Sequence, residues 1–166
     1  DVTWTSASFD GSGNVTGTAA IGSGVVVNAD INSSAAIAWS KLATDSLDAT
    51  VSKINLKDYG EVTNAIGATG GGTQDIDLTA GNSVSATVDT STNTFTFSNP
   101  TASDELCGFT LTLVNGGSQT VNGPGSVDWA GATAPTLTSS VTDILVFFTI
   151  DGGTIWHGMI ASADSK

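Results

Sequence analysis

Apolar and polar residues alternate along most of the chain from residue 73 to the C-terminus. A period of two is typical of β-strands that bury one face. Turn residues separate these segments about every eight to twelve residues, as in all-β domains. The predicted strands are QDIDLT (74–79), SVSATV (83–88), NTFTFS (93–98), GFTLTLV (108–114), SQTV (118–121), SVDW (126–129), DILVFFTI (143–150) and TIWHGMI (154–160).

This spacing predicts a β-sandwich over residues 73–166, of jelly-roll type. The sequence Asp151-Gly152-Gly153 predicts a tight hairpin turn between the last two strands. The uninterrupted run at 144–150, ILVFFTI, predicts a central strand that is buried on both faces.

The N-terminal region has a different pattern. Residues 1–22 predict a β-hairpin around the turn cluster DGSGN (10–14). Residues 28–59 predict one or two short helices, in which Leu47, Val51 and Ile54 form a stripe with helical spacing. Gly70-Gly71-Gly72 then predicts a boundary. We therefore expect a shaft region at 1–60, a junction at 61–72 and a β head at 73–166.

The shaft region lacks the residues to form a core of its own, because short helices and a lone hairpin are marginal in water. Self-association would supply the missing contacts. A twofold dimer could do this, but a threefold axis suits an extended shaft with a globular head better. We therefore predict a homotrimer. The predicted interface residues are Ile31, Ala35, Ile37, Trp39, Leu42, Leu47, Val51 and Ile54.

Charge narrows the range of partners. Only 12% of residues are charged and the net charge is −12, which disfavours binding to nucleic acid or to anionic membranes. Most of the excess negative charge lies in residues 61–166, which hold ten acidic residues and one lysine. A solvated acidic surface explains this charge, and the capture of cations is the alternative. No apolar run approaches the roughly 18 residues of a membrane-spanning helix.

Few residues suggest catalysis or metal binding. Cys107 is the only cysteine and is expected to be a small buried residue, and His157 is the only histidine and has no catalytic motif around it. Asp75 and Asp77 share one face of a predicted strand, where they could bind Ca²⁺ or simply be solvated. We expect no enzymatic activity and no cofactor.

Exposed aromatic residues often mediate surface recognition, because aromatic rings stack on sugars. Trp129, Trp156 and His157 are therefore candidates for surface recognition. Core or intersubunit packing is the alternative for both tryptophans.

Two parts of the chain resemble bacteriophage tail-fibre and related virion fibre proteins. The first is FDGSGNVTGTAAI (9–21) with VNADINSSAAIAWSKL (27–42), which is similar to repeated shaft segments. The second is SVDWAGATAPTL (126–137) with DILVFFTIDGGTIWHG (143–158), which is similar to distal domains of phage structural proteins.

This resemblance implies a homotrimeric fibre in the virion, attached to other virion proteins through its N-terminal region. Its distal head would contact a glycan or protein of the host surface. The alternative from another class is a secreted bacterial carbohydrate-binding module or adhesin that acts as a monomer.

Overall fold

The computed structural model describes residue 55 and residues 57–166, which contain two β-sheets. We call residues 57–166 the β domain. The predicted hairpin, the predicted helices up to residue 54 and all eight predicted interface residues lie outside the described residues. Residues 57–59, at the end of the predicted helical segment, contain no helix. Among the described residues, no helix is long and apolar enough to span a membrane.

Six strands form sheet A in the order β1-β3-β5-β8-β9-β7, and three form sheet B in the order β2-β4-β6. The strands are β1 (Thr63–Ala68), β2 (Gly72–Asp77), β3 (Ser83–Thr87), β4 (Asn93–Ser98), β5 (Ser103–Val114), β6 (Val121–Asn122), β7 (Val127–Trp129), β8 (Thr142–Asp151) and β9 (Trp156–Ser165). Short 3-10 helices follow β2, β5 and β7 at Leu78–Ala80, Gly116–Ser118 and Ala130–Ala132. The prediction of a mainly β domain is confirmed.

The first six strands alternate between sheet A and sheet B, so the chain passes through both sheets three times. Thr63 of β1 pairs with Ser83 of β3, and Ser83 pairs with Thr110 of β5, all in parallel. Strands β2, β4 and β6 are likewise parallel. Each return crossing therefore contains a strand of the other sheet, as in a short β-solenoid.

The jelly-roll prediction is wrong, because a jelly roll is built from antiparallel strands. Antiparallel pairing occurs here only where β8 meets β5 and β9 among the described strands. Parallel and antiparallel strands that bury one face show the same alternation, so the sequence pattern did not distinguish between them.

The segment 61–72 is part of the β domain and not a junction ahead of it, because it contains β1. Gly70, Gly71 and Gly72, which were expected to mark a boundary, all have positive φ and form the corner between β1 and β2. A side chain at Gly71 would collide with Ser91. Glycine is therefore needed at this position for both its conformation and its size.

The inner faces of the two sheets enclose an apolar core. Phe97 of β4 makes edge-to-face contacts with Phe109, Phe147 and Trp156 of sheet A, with ring centroids 4.9, 5.0 and 5.3 Å apart. Such aromatic pairs stabilise a core beyond the area that they bury. Cys107 lies in the same core and is buried, as predicted.

Strand β8 is central in sheet A but is fully buried on one face only. Its inward residues Leu145, Phe147 and Thr149 are at most 4% exposed. The outward residues between them are half-buried, and Ile150 is 57% exposed. The prediction of burial on both faces is wrong within the described chain, because sheet B covers only the inner side.

The carboxylates of Asp143 and Asp151 stabilise the loops next to β8 through hydrogen bonds. Asp143 is fully buried and accepts hydrogen bonds from the backbone N–H groups of Thr138, at 2.6 Å, and Asp164, at 3.0 Å. It thereby ties the long loop before β8 to the end of β9. Asp151 accepts hydrogen bonds from the Ile155 N–H, at 3.0 Å, and the Thr149 hydroxyl, at 2.8 Å.

The predicted turn after Asp151 is confirmed. Gly152 and Gly153 have φ of 67° and 86°, a conformation that favours glycine. The hydrogen bonds from the Ile155 N–H and the Thr149 hydroxyl hold the pKa of the Asp151 carboxyl below its ordinary value.

We predict that core valines and exposed valines differ sharply in their contribution to stability. Val84 is 1% exposed and Val62 is 71% exposed. Val84→Ala removes two buried carbon groups and should lower the free energy of unfolding by about 2 kcal/mol. Val62→Ala should change it by less than about 0.5 kcal/mol. Urea unfolding at one fixed protein concentration measures both, and equal effects would contradict the assigned core.

We also predict that the contribution of Asp151 depends on pH. A carboxyl whose pKa is lowered in the folded state stabilises that state above its unfolded pKa. This stabilisation is lost as the pH falls through the lower, folded-state pKa. Asp151→Asn should therefore lower the Tm at about pH 7, and its Tm difference from the wild type should shrink below about pH 4. A difference that stays constant into acid would contradict this role.

Candidate interaction surface

The outer face of sheet A, which points away from sheet B, carries an apolar stripe along β8 that continues to Leu106 on β5 and Met159 on β9. Every outward residue of β8 from position 144 to 150 is apolar. On β5, Leu106 is 75% exposed, and on β9, Met159 is 45% exposed. We call this surface the β8 face. Its outward residues are Leu106, Gly108, Thr110, Thr112, Ile144, Val146, Phe148, Ile150, His157 and Met159.

Phe148 lies at the centre of the β8 face. Its ring contacts the imidazole of His157 on β9, with centroids 5.0 Å apart. Gly108 pairs with Phe148 from β5, where an added Cβ would come within 2.9 Å of the Phe147 carbonyl oxygen. The missing side chain leaves a shallow depression between Leu106, Val146 and Phe148.

A second depression lies on the other side of Phe148. It is bordered by Phe148, His157 and Met159, with Asp128 at its edge. The ring of the neighbouring Trp129 lies on the core side of the sheet, where it packs edge-to-face on Phe147 with centroids 5.5 Å apart, and it is half-buried. An added Cβ at Gly158 would meet this ring at 2.8 Å, so glycine allows Trp129 to lie against the sheet.

The structure separates the three residues that were predicted for surface recognition. His157 lies at the second depression, whereas the Trp129 ring packs on Phe147 on the core side of the sheet. Trp156 does not reach the surface, because it is 2% exposed and packs against Phe97 and Phe109. Its assignment as a candidate recognition residue is therefore corrected to core packing.

No carboxylate lies at the centre of the β8 face. Asp75 and Asp77 lie on sheet B, Asp143 is a buried inward residue of β8, and Asp104 and Glu105 are exposed at the start of β5, before Leu106. Glu61 and Asp128 mark the rim of the β8 face, one at each depression. An acidic domain thus presents one broad surface without carboxylates at its centre.

The paired carboxylates of β2 are engaged by neighbouring polar groups. Asp75 accepts hydrogen bonds from the hydroxyls of Thr96 and Ser98, at 2.8 and 2.6 Å. Hydrogen bonds from Asn99 and Thr79 hold the pKa of the Asp77 carboxyl below its ordinary value. Within residues 57–166, no three His, Cys, Asp or Glu side chains are grouped so that they could hold a metal ion.

An internal cavity of about 70 Å³ lies between the sheets. Aromatic and aliphatic side chains line it, among them Phe97, Leu111 and Leu137. For comparison, an engineered apolar cavity that binds benzene has a volume of about 150 Å³. We therefore interpret this space as a packing gap.

Most residues of the β8 face were not predicted from the sequence. Leu106, Val146, Phe148, Ile150 and Met159 were not singled out as surface residues. The signal was present in the run at 144–150, where apolar residues occupy both alternating sets of positions. It was interpreted as burial within one chain, but it also fits burial between chains.

No protein-family model, no curated protein and no solved structure matches this chain.

Proposed function

We propose that the chain is a structural fibre protein of a bacteriophage virion. It assembles as a homotrimer, with the β domain as a distal head that contacts the host cell surface. The N-terminal region forms the shaft and attaches to other virion proteins. The fibre has no enzymatic activity and needs no cofactor.

The observation that carries this proposal is the β8 face. Soluble monomers rarely expose large contiguous apolar patches, and such patches usually mark an interaction site. Here the patch crosses three adjacent strands of a domain that is otherwise acidic. A protein that assembles with its own copies would have such a surface.

The resemblance to fibre proteins supports the same proposal. Its C-terminal part covers residues 126–137 and 143–158, which form β7, the loop before β8, most of β8 and the start of β9. Within this block, Phe147 and Trp156 belong to the core, whereas Val146 and Phe148 point outward. The resemblance therefore concerns both the fold of the head and its outer face.

The mechanism is mechanical and adhesive. The shaft sets the distance between the particle and the host. Three identical heads on one fibre raise the effective concentration of each binding site, so weak single contacts can add up to firm attachment.

The alternative is a secreted bacterial carbohydrate-binding module or adhesin. The specific observation in its favour is the second depression, where the Phe148 ring, the His157 imidazole and the Asp128 carboxylate lie around one shallow surface. Aromatic and polar groups in this combination suit a sugar ring. Such a module would act as a monomer, so the oligomeric state discriminates between the two proposals.

We predict that the full chain in solution has three times the chain mass of 16.5 kDa. Light scattering coupled to size-exclusion chromatography measures this mass without a shape assumption. The trimer should persist on dilution, because the interface in the shaft region is apolar. A mass of one chain would contradict the fibre proposal and favour the carbohydrate-binding module.

A further inference from the structure

We propose that the β8 face is the surface through which the three heads meet, with β8 of each copy directed at a common threefold axis. This inference rests on the proposed trimeric fibre and assigns the contact within its head. The partner of the face is therefore a second copy of this chain.

The composition of β8 is the first reason. A strand with solvent on one side normally alternates apolar inward with polar outward residues. In β8 the outward positions Ile144, Val146, Phe148 and Ile150 are all apolar, although no second layer covers them in the described domain. A strand with this composition suits burial on both sides, and a packed copy would supply the second side.

Charge is the second reason, because it selects the kind of partner. Residues 61–166 hold ten acidic residues and one lysine, so copies of this domain repel each other. They can approach closely only through a surface that lacks carboxylates, and the centre of the β8 face is such a surface. A basic partner would instead prefer the acidic surfaces elsewhere, such as that around Asp75 and Asp77.

The outer face of sheet B provides an internal comparison. Its middle strand, β4, directs Thr94 and Thr96 outward, and the neighbouring β2 adds Asp75. Thr96 and Asp75 are exposed and bonded to each other. The outer face of sheet B therefore has the composition of a solvated surface. The outer face of β8 in sheet A is instead suited to contact another protein surface.

The size of the β8 face fits one contact within a larger assembly. Residues 144–150 of β8 span about 23 Å, and three strands span about 14 Å, which gives roughly 320 Å². A standard interface buries about 800 Å² on each partner. The head contact is thus too small to hold the trimer alone, and the remaining contact area comes from the shaft region of the proposed fibre.

The path of the chain agrees with this placement. Glu61 lies close to the start of β1 and borders the same depression as Leu106 and Phe148. The chain therefore enters β1 at the rim of the β8 face. When three such faces meet at an axis, the three incoming chains arrive next to one another.

Crosslinking of the full chain tests this inference. Packed sheets lie about 10 Å apart, which exceeds the span of a disulfide, so a short bismaleimide is the suitable reagent. In a Cys107→Ala background, Phe148→Cys places three thiols around the axis. We expect a covalent dimer that contains up to two of every three chains. Thr94→Cys, at the middle of sheet B, is the matched control and should give no dimer.

A charge substitution gives an independent readout. Val146→Glu would place three carboxylates around one apolar axis and should weaken association at least tenfold by sedimentation equilibrium. Thr94→Glu, which is also half-buried on a middle strand, should leave association unchanged. Circular dichroism shows whether each variant keeps its β structure.

The outcomes separate this inference from the function on which it rests. A monomeric wild-type chain would overturn both. Suppose that the wild type is trimeric but Phe148→Cys gives no dimer, or Thr94→Cys links equally well. Either result would overturn the assignment of the β8 face as the contact between heads and would leave the trimeric fibre standing. Loss of host-cell binding with an unchanged trimer in Val146→Glu would also overturn it, because the face would then contact the host and not a copy.

Discussion

The contact between Phe97 and the aromatic residues of sheet A is the interaction on which the rest of the structure depends. Phe97 is the residue of β4 that reaches Phe109, Phe147 and Trp156 together. Through it the narrow sheet B closes over the inner face of the wider sheet A. Once this side is closed, the outer face of sheet A has no covering layer among the described residues.

The domain is then asymmetric in both polarity and charge. Its inner faces form the core, the outer face of sheet B is polar, and the outer face of sheet A is apolar along β8. The acidic residues lie at turns, on sheet B, on β7, near the ends of β5, β8 and β9, or in the buried position of Asp143. This distribution has a simple physical consequence. Copies whose acidic surfaces repel each other can still approach through the β8 face. We therefore propose that this face mediates self-association.

The candidate site was only partly predictable from the sequence. Trp129 and His157 were singled out as rare residue types, but only His157 lies on the β8 face, because the Trp129 ring packs on Phe147 on the core side. Trp156 was singled out for the same reason but packs in the core. Composition cannot separate these cases, because an aromatic ring serves equally well in a core and at a surface. The aliphatic residues of the β8 face were missed because no chemistry marks them individually.

The sequence by itself determined most of the strands from β2 onward, where the Asp151-Gly152-Gly153 turn falls and which residues alternate inward, because these depend on local propensity and on a period of two. The tertiary structure alone decided which strands pair, that the first six run in parallel circuits, and that the 61–72 segment belongs to the sheet. Pairing depends on contacts between distant residues, which a local pattern does not encode. For the same reason, the apolar run in β8 shows that two faces favour burial, whereas only the arrangement of the sheets reveals that one of them is left uncovered.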